Sequence, residues 1–355
     1  MTLLSTRRAL LAASASLAAP AIARADTAIR WRLITAWTRN LPGPGVSAQR
    51  LADRINAMSG GRLVIELFAA GQIVPAFGVF EAVSNGTAEM GHTAALYWEG
   101  KLPGVSLFTT APFGMGPLEH QTWIEQRGGQ ALWDELYAPF GLRAYLAGNT
   151  GPSMGGWFRK PVESLAGIKG LRIRVLGLGA EVYEAMEAVP IPIPPGETAA
   201  ALERGIIDAV ELLAPVNDQP LGLNRFAPNY LMPGFNKPNG ASEALISQKA
   251  FDALPPDLRA IVQNACAAEH AAGLADAMSG NAAALSQLVA DGVKVLGFPP
   301  DVLAAFRTKA TMVLERKAGQ GDMARRIIAS YAAAQAAGRT WGRVEAYMAQ
   351  ALRTI

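Results

Sequence analysis

Between residues 31 and 68 the apolar pattern changes period twice, and few folds accommodate that order. Residues 31–35, Trp-Arg-Leu-Ile-Thr, read as a short strand, and a Pro/Gly loop follows at 41–45. Residues 46–58 then take helical spacing, with Leu51, Ile55 and Met58 on one face, and stop at Ser59-Gly60-Gly61. Residues 63–68 alternate as a strand does. Strand, helix, strand at this spacing is a βαβ unit, because parallel neighbours need a long crossover. The fold class is α/β.

The alternation continues with a helix at 77–83, a strand at 90–96, a helix at 118–137 and a strand at 142–146. Dense turn residues at Gly148-Asn149-Thr150-Gly151 then separate a second series: strands at 156–158, 172–176 and 209–213, with helices at 180–188 and 198–204. Two α/β lobes are expected. From Pro255 onward strand signals nearly vanish, and Ala-rich helical stretches run to Ile355 with breaks at 292–301 and 319–322. The expected division is lobe I at 26–149 plus about 238–290, lobe II at 150–237, and C-terminal helices from about 291 to 355 bracing both.

Residues 1–25 are set apart from this pattern. Thr6-Arg7-Arg8 precedes an apolar run at 9–21 and a small-x-small site, Ala23-Arg24-Ala25. That is the layout of an export signal, and the paired arginines resemble the twin-arginine type. Without its three arginines the remainder balances 29 basic against 29 acidic residues. Such a neutral chain lacks the field that gathers phosphate backbones, so nucleic acid is not an expected partner. After Asp26 no run is long and apolar enough for a membrane span. The expected location is the periplasm.

Catalytic motifs are sparse. Gly151-Pro152-Ser153-Met154-Gly155 matches the nucleophile elbow of serine hydrolases, but a strand reading follows it where the elbow needs a helix. His92, His120 and His270 have no metal-ligand spacing, and no phosphate-binding loop or complete dinucleotide fingerprint is present. The single Cys266 lies in an Ala-rich helical stretch and reads as buried. No enzyme and no organic cofactor are expected.

Several segments together resemble the solute-binding subunits of tripartite ATP-independent periplasmic (TRAP) transporters. They are Met58-Ser-Gly-Gly-Arg-Leu63 with Gly71, Gly100-Lys101 with Leu107-Phe108 and Pro112-Phe113-Gly114, and Gly170-Leu-Arg-Ile-Arg174. The most specific is Ala201-Leu-Glu-Arg-Gly-Ile-Ile-Asp-Ala-Val-Glu211, which is similar to that family's helix-turn-strand signature. Asn149-Thr150-Gly151 with residues 154–159, Met-Gly-Gly-Trp-Phe-Arg, resembles the branch that binds 2-oxo acids and related monocarboxylates. The resemblance implies two hinged lobes around a cleft, a long helix spanning both, a small carboxylate ligand and a membrane permease as partner.

A carboxylate enclosed between lobes loses its water and needs charge-assisted hydrogen bonds in return, for which a guanidinium is suited. On the strand 172–176, Arg172 and Arg174 share the face opposite Ile173 and Val175; the residues alone leave either as a solvated charge. The resemblance assigns the carboxylate clamp to Arg174. Tyr97 and Trp98 are read as aromatic walls, with core packing or a dimer contact as the alternative. Asn149 either caps a turn or reaches the ligand. The resemblance also implies a sodium or calcium ion bridging ligand and protein through Glu211, the Leu212 backbone carbonyl and Ser153. Ser153 and Leu212 stand where the branch has glutamine and tryptophan, which leaves a sparse oxygen shell. Phe235 replaces a further tryptophan near the second lobe's exit, so a wider pocket is expected. Ile327, Ile328, Tyr331 and residues 341–352 offer apolar faces for a homodimer. Two other readings remain: an exported hydrolase using Ser153, and a ligand-sensing partner of a membrane receptor.

Overall fold

The computed structural model describes residues 28–353; the export-signal reading at 1–25 lies outside the described residues. Eleven strands occur among these residues: β1 Ile29–Thr35, β2 Leu63–Phe68, β3 Met90–Thr93, β4 Leu142–Asn149, β5 Gly156–Phe158, β6 Arg172–Arg174, β7 Val189–Pro190, β8 Ala209–Val210, β9 Asn229–Met232, β10 Ala241–Ser247 and β11 Lys294–Gly297. They form two sheets. The first has the order β2-β1-β3-β10-β4 and the second β11-β9-β5-β8-β6-β7. β1 pairs in parallel with β2 and β3, as the βαβ reading requires. Leu33, Leu51, Ile55 and Leu63 close the core beneath that unit, while Met58 in the last helical turn is half exposed.

The chain passes between the sheets at 150–155 and again at 233–240. These two crossings are bonded to each other. Thr150 N donates to Gly240 O at 3.0 Å and Ser153 N to Lys237 O at 2.9 Å. Gly234 lies so close to this contact that a Cβ would meet Ser153 O at 2.0 Å. Only glycine permits that approach.

Helix Pro256–Ala290 lies along the first sheet, burying Leu258, Val262 and Cys266 there. Its buried Glu269 accepts from Ser47 Oγ and pairs with Arg50, both at 2.7 Å. The helix also reaches elements of the second sheet's side, where Asn281 Oδ1 accepts from Val216 N at 3.1 Å. Helices Pro300–Ala318 and Asp322–Arg353 follow. Lys317 pairs with Glu181 at 2.6 Å and Glu99 at 3.2 Å, and Tyr331 Oη accepts from Met115 N at 2.8 Å.

Several local expectations change. The strand expected at 90–96 ends at Thr93, because its partners Thr35 and Glu243 are the last residues in register; Ala95–Trp98 then turns as a 3-10 helix. The helix expected at 118–137 is two, Pro117–Gln126 and Gly129–Tyr137, broken at Gly128, whose φ is +84°. Finally, the break at 292–301 holds β11, which pairs in parallel with β9. The alternation of Val293 and Val295 was its signal.

Candidate functional site

Parallel strands place ligands outside their carboxyl ends, and both sheets obey this. Trp37 follows β1, Ala94, Leu96 and Tyr97 follow β3, Arg174 ends β6, and Glu211, Leu212 and Leu213 follow β8; all line one cavity of about 60 Å³ between the sheets. The strand expected at 209–213 leaves its sheet after Val210, which frees Glu211 and its neighbours to face this space. With a water-sized group needing about 10–15 Å³ on this measure, the cavity holds only a few such groups.

Arg174 is 2% exposed. Its Nε donates to Ile193 O at 2.9 Å and its Nη1 to Glu211 O at 2.8 Å, so the guanidinium is fixed from behind by two carbonyls. Among the described residues no carboxylate lies within ion-pair distance of it. Arg172, one pleat away, instead pairs with Asp208 at 2.7 Å near the surface. A buried cation without a counter-charge is costly unless an anion joins it. Tyr97 lies beside Arg174, and burial pushes its phenol up to about 12 against the opposing pull of that guanidinium. It is therefore a neutral hydroxyl at working pH, able to donate into the cavity.

Glu211, 3% exposed at its side chain, is not paired with Arg174. Lys237 Nζ lies 2.9 Å from Glu211 Oε1, an ion pair whose angle is too poor for a directed hydrogen bond. The same ammonium donates to the Leu212 carbonyl. Burial lowers the Lys237 pKa, and the Glu211 charge opposes that shift. Lys237 was missed in the sequence because it stands in a Pro/Gly crossing, Pro233-Gly-Phe-Asn-Lys237, where a solvated lysine is the ordinary reading.

Arg174, Tyr97, Glu211 and Leu212 thus come together, whereas four other expected residues do not line this cavity. Trp98 faces the core: Nε1 donates to Glu243 at 3.0 Å and the ring packs on Phe80. Adjacent residues of a 3-10 turn point in different directions, so Tyr97 and Trp98 part. Asn149 stitches the crossings, donating to Asn239 Oδ1 at 2.8 Å and accepting from Gly151 N at 2.8 Å. Phe235 stacks on Phe306 at 4.3 Å in an aromatic cluster, so its replacement of tryptophan does not widen the cavity. Ser153 lines a separate cavity with Phe113, Phe235 and Arg307. Its hydroxyl meets no base: His92, His120 and His270 bond to Ala147 O, Leu107 O and Gly148 O. β5 follows it at Gly156, which is the wrong context for an elbow.

Residues 44–320 match the model of the bacterial extracellular solute-binding protein family 7. The chain belongs to this family. Its members are periplasmic solute receptors and not enzymes, which removes the hydrolase reading. The chain is 34% identical over 316 residues, 89% of its own length and 86% of the relative's, to a monocarboxylate 2-oxoacid-binding periplasmic protein of Nostoc sp.. It is also similar to two solved TRAP receptors. One, from Bordetella bronchiseptica with calcium and picolinate, has 32% identity, a TM-score of 0.89 and covers 92% of this chain and 99% of its own. The other, from Pseudoalteromonas atlantica with sodium and pyruvate, has 34% identity, a TM-score of 0.88 and covers 91% and 99%. The fold of this family 7 receptor is that of the TRAP solute-binding proteins.

Those two relatives hold a cation together with the acid, which tests the donor set here. Of the three expected cation contacts, Glu211 and the Leu212 carbonyl are both engaged by Lys237, and Ser153 lies in the other cavity. Among the described residues no group of three or more His, Cys, Asp or Glu side chains is disposed to hold a metal. As placed, these side chains do not form a cation shell.

Proposed function

We propose that this receptor captures a small monocarboxylate, a 2-oxo or 2-hydroxy acid, and delivers it to a TRAP permease. The observation that carries this is the buried, carboxylate-free guanidinium of Arg174 facing the inter-sheet cavity. The cavity wall carries Arg174 and Lys237 against Glu211 alone, a surplus of one positive charge. One monoanion neutralises it; a dianion overshoots. The small cavity and the acids held by the relatives point the same way.

In this reading Arg174 clamps the carboxylate, Tyr97 donates to it, and Trp37, Leu212 and Leu213 exclude water. Lobe I is 26–149 with about 238–290 and lobe II is 150–237, moving about the crossings at 150–155 and 233–240. Ligand favours the closed form by its differential affinity for it. The paired Arg7-Arg8 directs twin-arginine export. Trp341, Val344, Met348 and Leu352 form an exposed stripe at helical spacing on the last helix, where a second copy docks. Ile327 and Tyr331 are buried against the receptor's own fold and take no part.

Calorimetry with pyruvate, lactate, propionate, succinate and picolinate tests the ligand class. Binding confined to monoanions supports it; preference for succinate refutes it.

A further inference from the structure

We propose that the ammonium of Lys237 is a resident monovalent cation of the binding site, so that this receptor holds its acid without a metal ion. The inference rests on the monocarboxylate reading above and goes beyond it by naming what receives the acid's second oxygen.

Three observations carry it. First, Nζ takes two of the contacts expected for a cation, the Glu211 carboxylate at 2.9 Å and the Leu212 carbonyl. A sodium or calcium ion on the same oxygens meets an ammonium at contact distance, and like charges repel strongly where both partners are buried. Second, the lysine is held in place from its backbone. Lys237 O accepts from Ser153 N at 2.9 Å and Lys237 N donates to Gly234 O at 3.1 Å, so both inter-sheet crossings fix the origin of the side chain. The side chain is only 11% exposed and lines the same cavity as Arg174. Third, the donor count leaves capacity for a ligand. An ammonium has three N–H groups; the Leu212 carbonyl takes one and the Glu211 ion pair at most one more. At least one remains for an oxygen in the cavity.

The charge balance agrees. One ammonium supplies the single positive charge that a sodium ion supplies, while Glu211 compensates it and Arg174 supplies the surplus that takes up a monoanion. A sodium-bridged arrangement and the lysine arrangement are therefore equivalent in net charge, whereas calcium would add one more positive charge, and the lysine cannot be removed by a chelator. It also does not demand a chelating pair of ligand oxygens.

The experiment is calorimetry of chelator-treated full-length mature receptor with pyruvate and picolinate as probes. Sodium-free buffer, added sodium chloride and added calcium chloride are compared at matched ionic strength. The wild type is expected to bind with affinities equal within about twofold in all three buffers. Lys237→Gln is expected to lose about 10- to 100-fold in the metal-free buffer, the worth of one charge-assisted hydrogen bond. A wild-type affinity that rises about tenfold or more with either cation, on a scale where tenfold is one full step in binding free energy, overturns the assignment. Metal-free Lys237→Gln binding as tightly as wild type also overturns it. The wild-type arm decides the matter even when the variant does not fold. Absence of binding by either probe in every buffer has a different signature: it overturns the monocarboxylate reading and this assignment with it.

Discussion

Replacing Arg174 with methionine removes the charge and the fork while nearly keeping side-chain volume. With Arg174 as the proposed clamp, the carboxylate of the acid would lose two charge-assisted hydrogen bonds of about 1.5–3 kcal/mol each. That amounts to roughly 3–6 kcal/mol, or about 10²- to 10⁴-fold in Kd. The ligand-free protein responds differently. Ile193 O and Glu211 O lose their donors, costing about 1–3 kcal/mol each. Against this, a buried cation with no carboxylate partner disappears, a relief of several kcal/mol. The two nearly cancel, so the ligand-free melting temperature moves little. Thermal shift reads both quantities at once. At 100 times Kd the wild type gains about 2.7 kcal/mol. At roughly 2 °C per kcal/mol for a chain of this size, that is a rise of about 5 °C, which Arg174→Met loses. Arg174→Lys retains charge without the fork and is expected to recover only part of the affinity. Arg174→Met binding the acid within about threefold of wild type, less than one kcal/mol, refutes the clamp. A collapse of the ligand-free melting temperature shows a structural role instead.

Trp98→Phe leaves Glu243 short of a donor in the core and is expected to cost about 1–3 kcal/mol in urea unfolding with the acid's Kd unchanged. A weakened Kd with unchanged stability would return Trp98 to the cavity wall. Burial raises Glu243 to about 7 from 4.5 and Asp218 to about 6 from 3.8, so the folded state holds these protons more tightly than the unfolded chain. Their contribution is complete below pH about 4 and is lost as pH rises through about 6–7, by about 3 kcal/mol for Glu243. Glu243→Gln should flatten the decline between pH 4.5 and 7 in denaturant titrations; an unchanged slope contradicts the assignment. Burial also pushes the Cys266 thiol up, so native protein is expected to resist an aromatic disulfide reagent and to release one equivalent only on unfolding. Prompt reaction of the native protein contradicts that burial.

How legible the site was depended on how local its chemistry is. Arg174 could be singled out, and does line the cavity, because it lies in a strand whose alternation is visible and whose neighbours resemble a known signature. The sequence favoured Tyr97 over Trp98 but could not settle the matter, since which of two adjacent aromatics faces a cavity depends on where β3 stops pairing. That end is set by Thr35 and Glu243, far away along the chain. Phe235 and Ser153 were assigned to the ligand by position, but the crossings turn both toward a different cavity.

By itself the sequence determined the α/β class and the alternation of its first strands and helices, because hydrophobic period, glycine stops and proline breaks act over a few residues, but it did not show β7, β9, β10 or β11. It also determined the family, through short signatures spread along most of the chain. Tertiary structure alone decided what the Glu211 carboxylate and the Leu212 carbonyl meet. Lys237 and Leu212 are 25 residues apart, and nothing in either segment announces the other. They meet because one crossing returns beside the carboxyl end of β8, where a lysine that reads as solvated is buried against a carboxylate and a carbonyl. Charge placement of this kind is a property of how the two sheets are joined, and no local pattern encodes it.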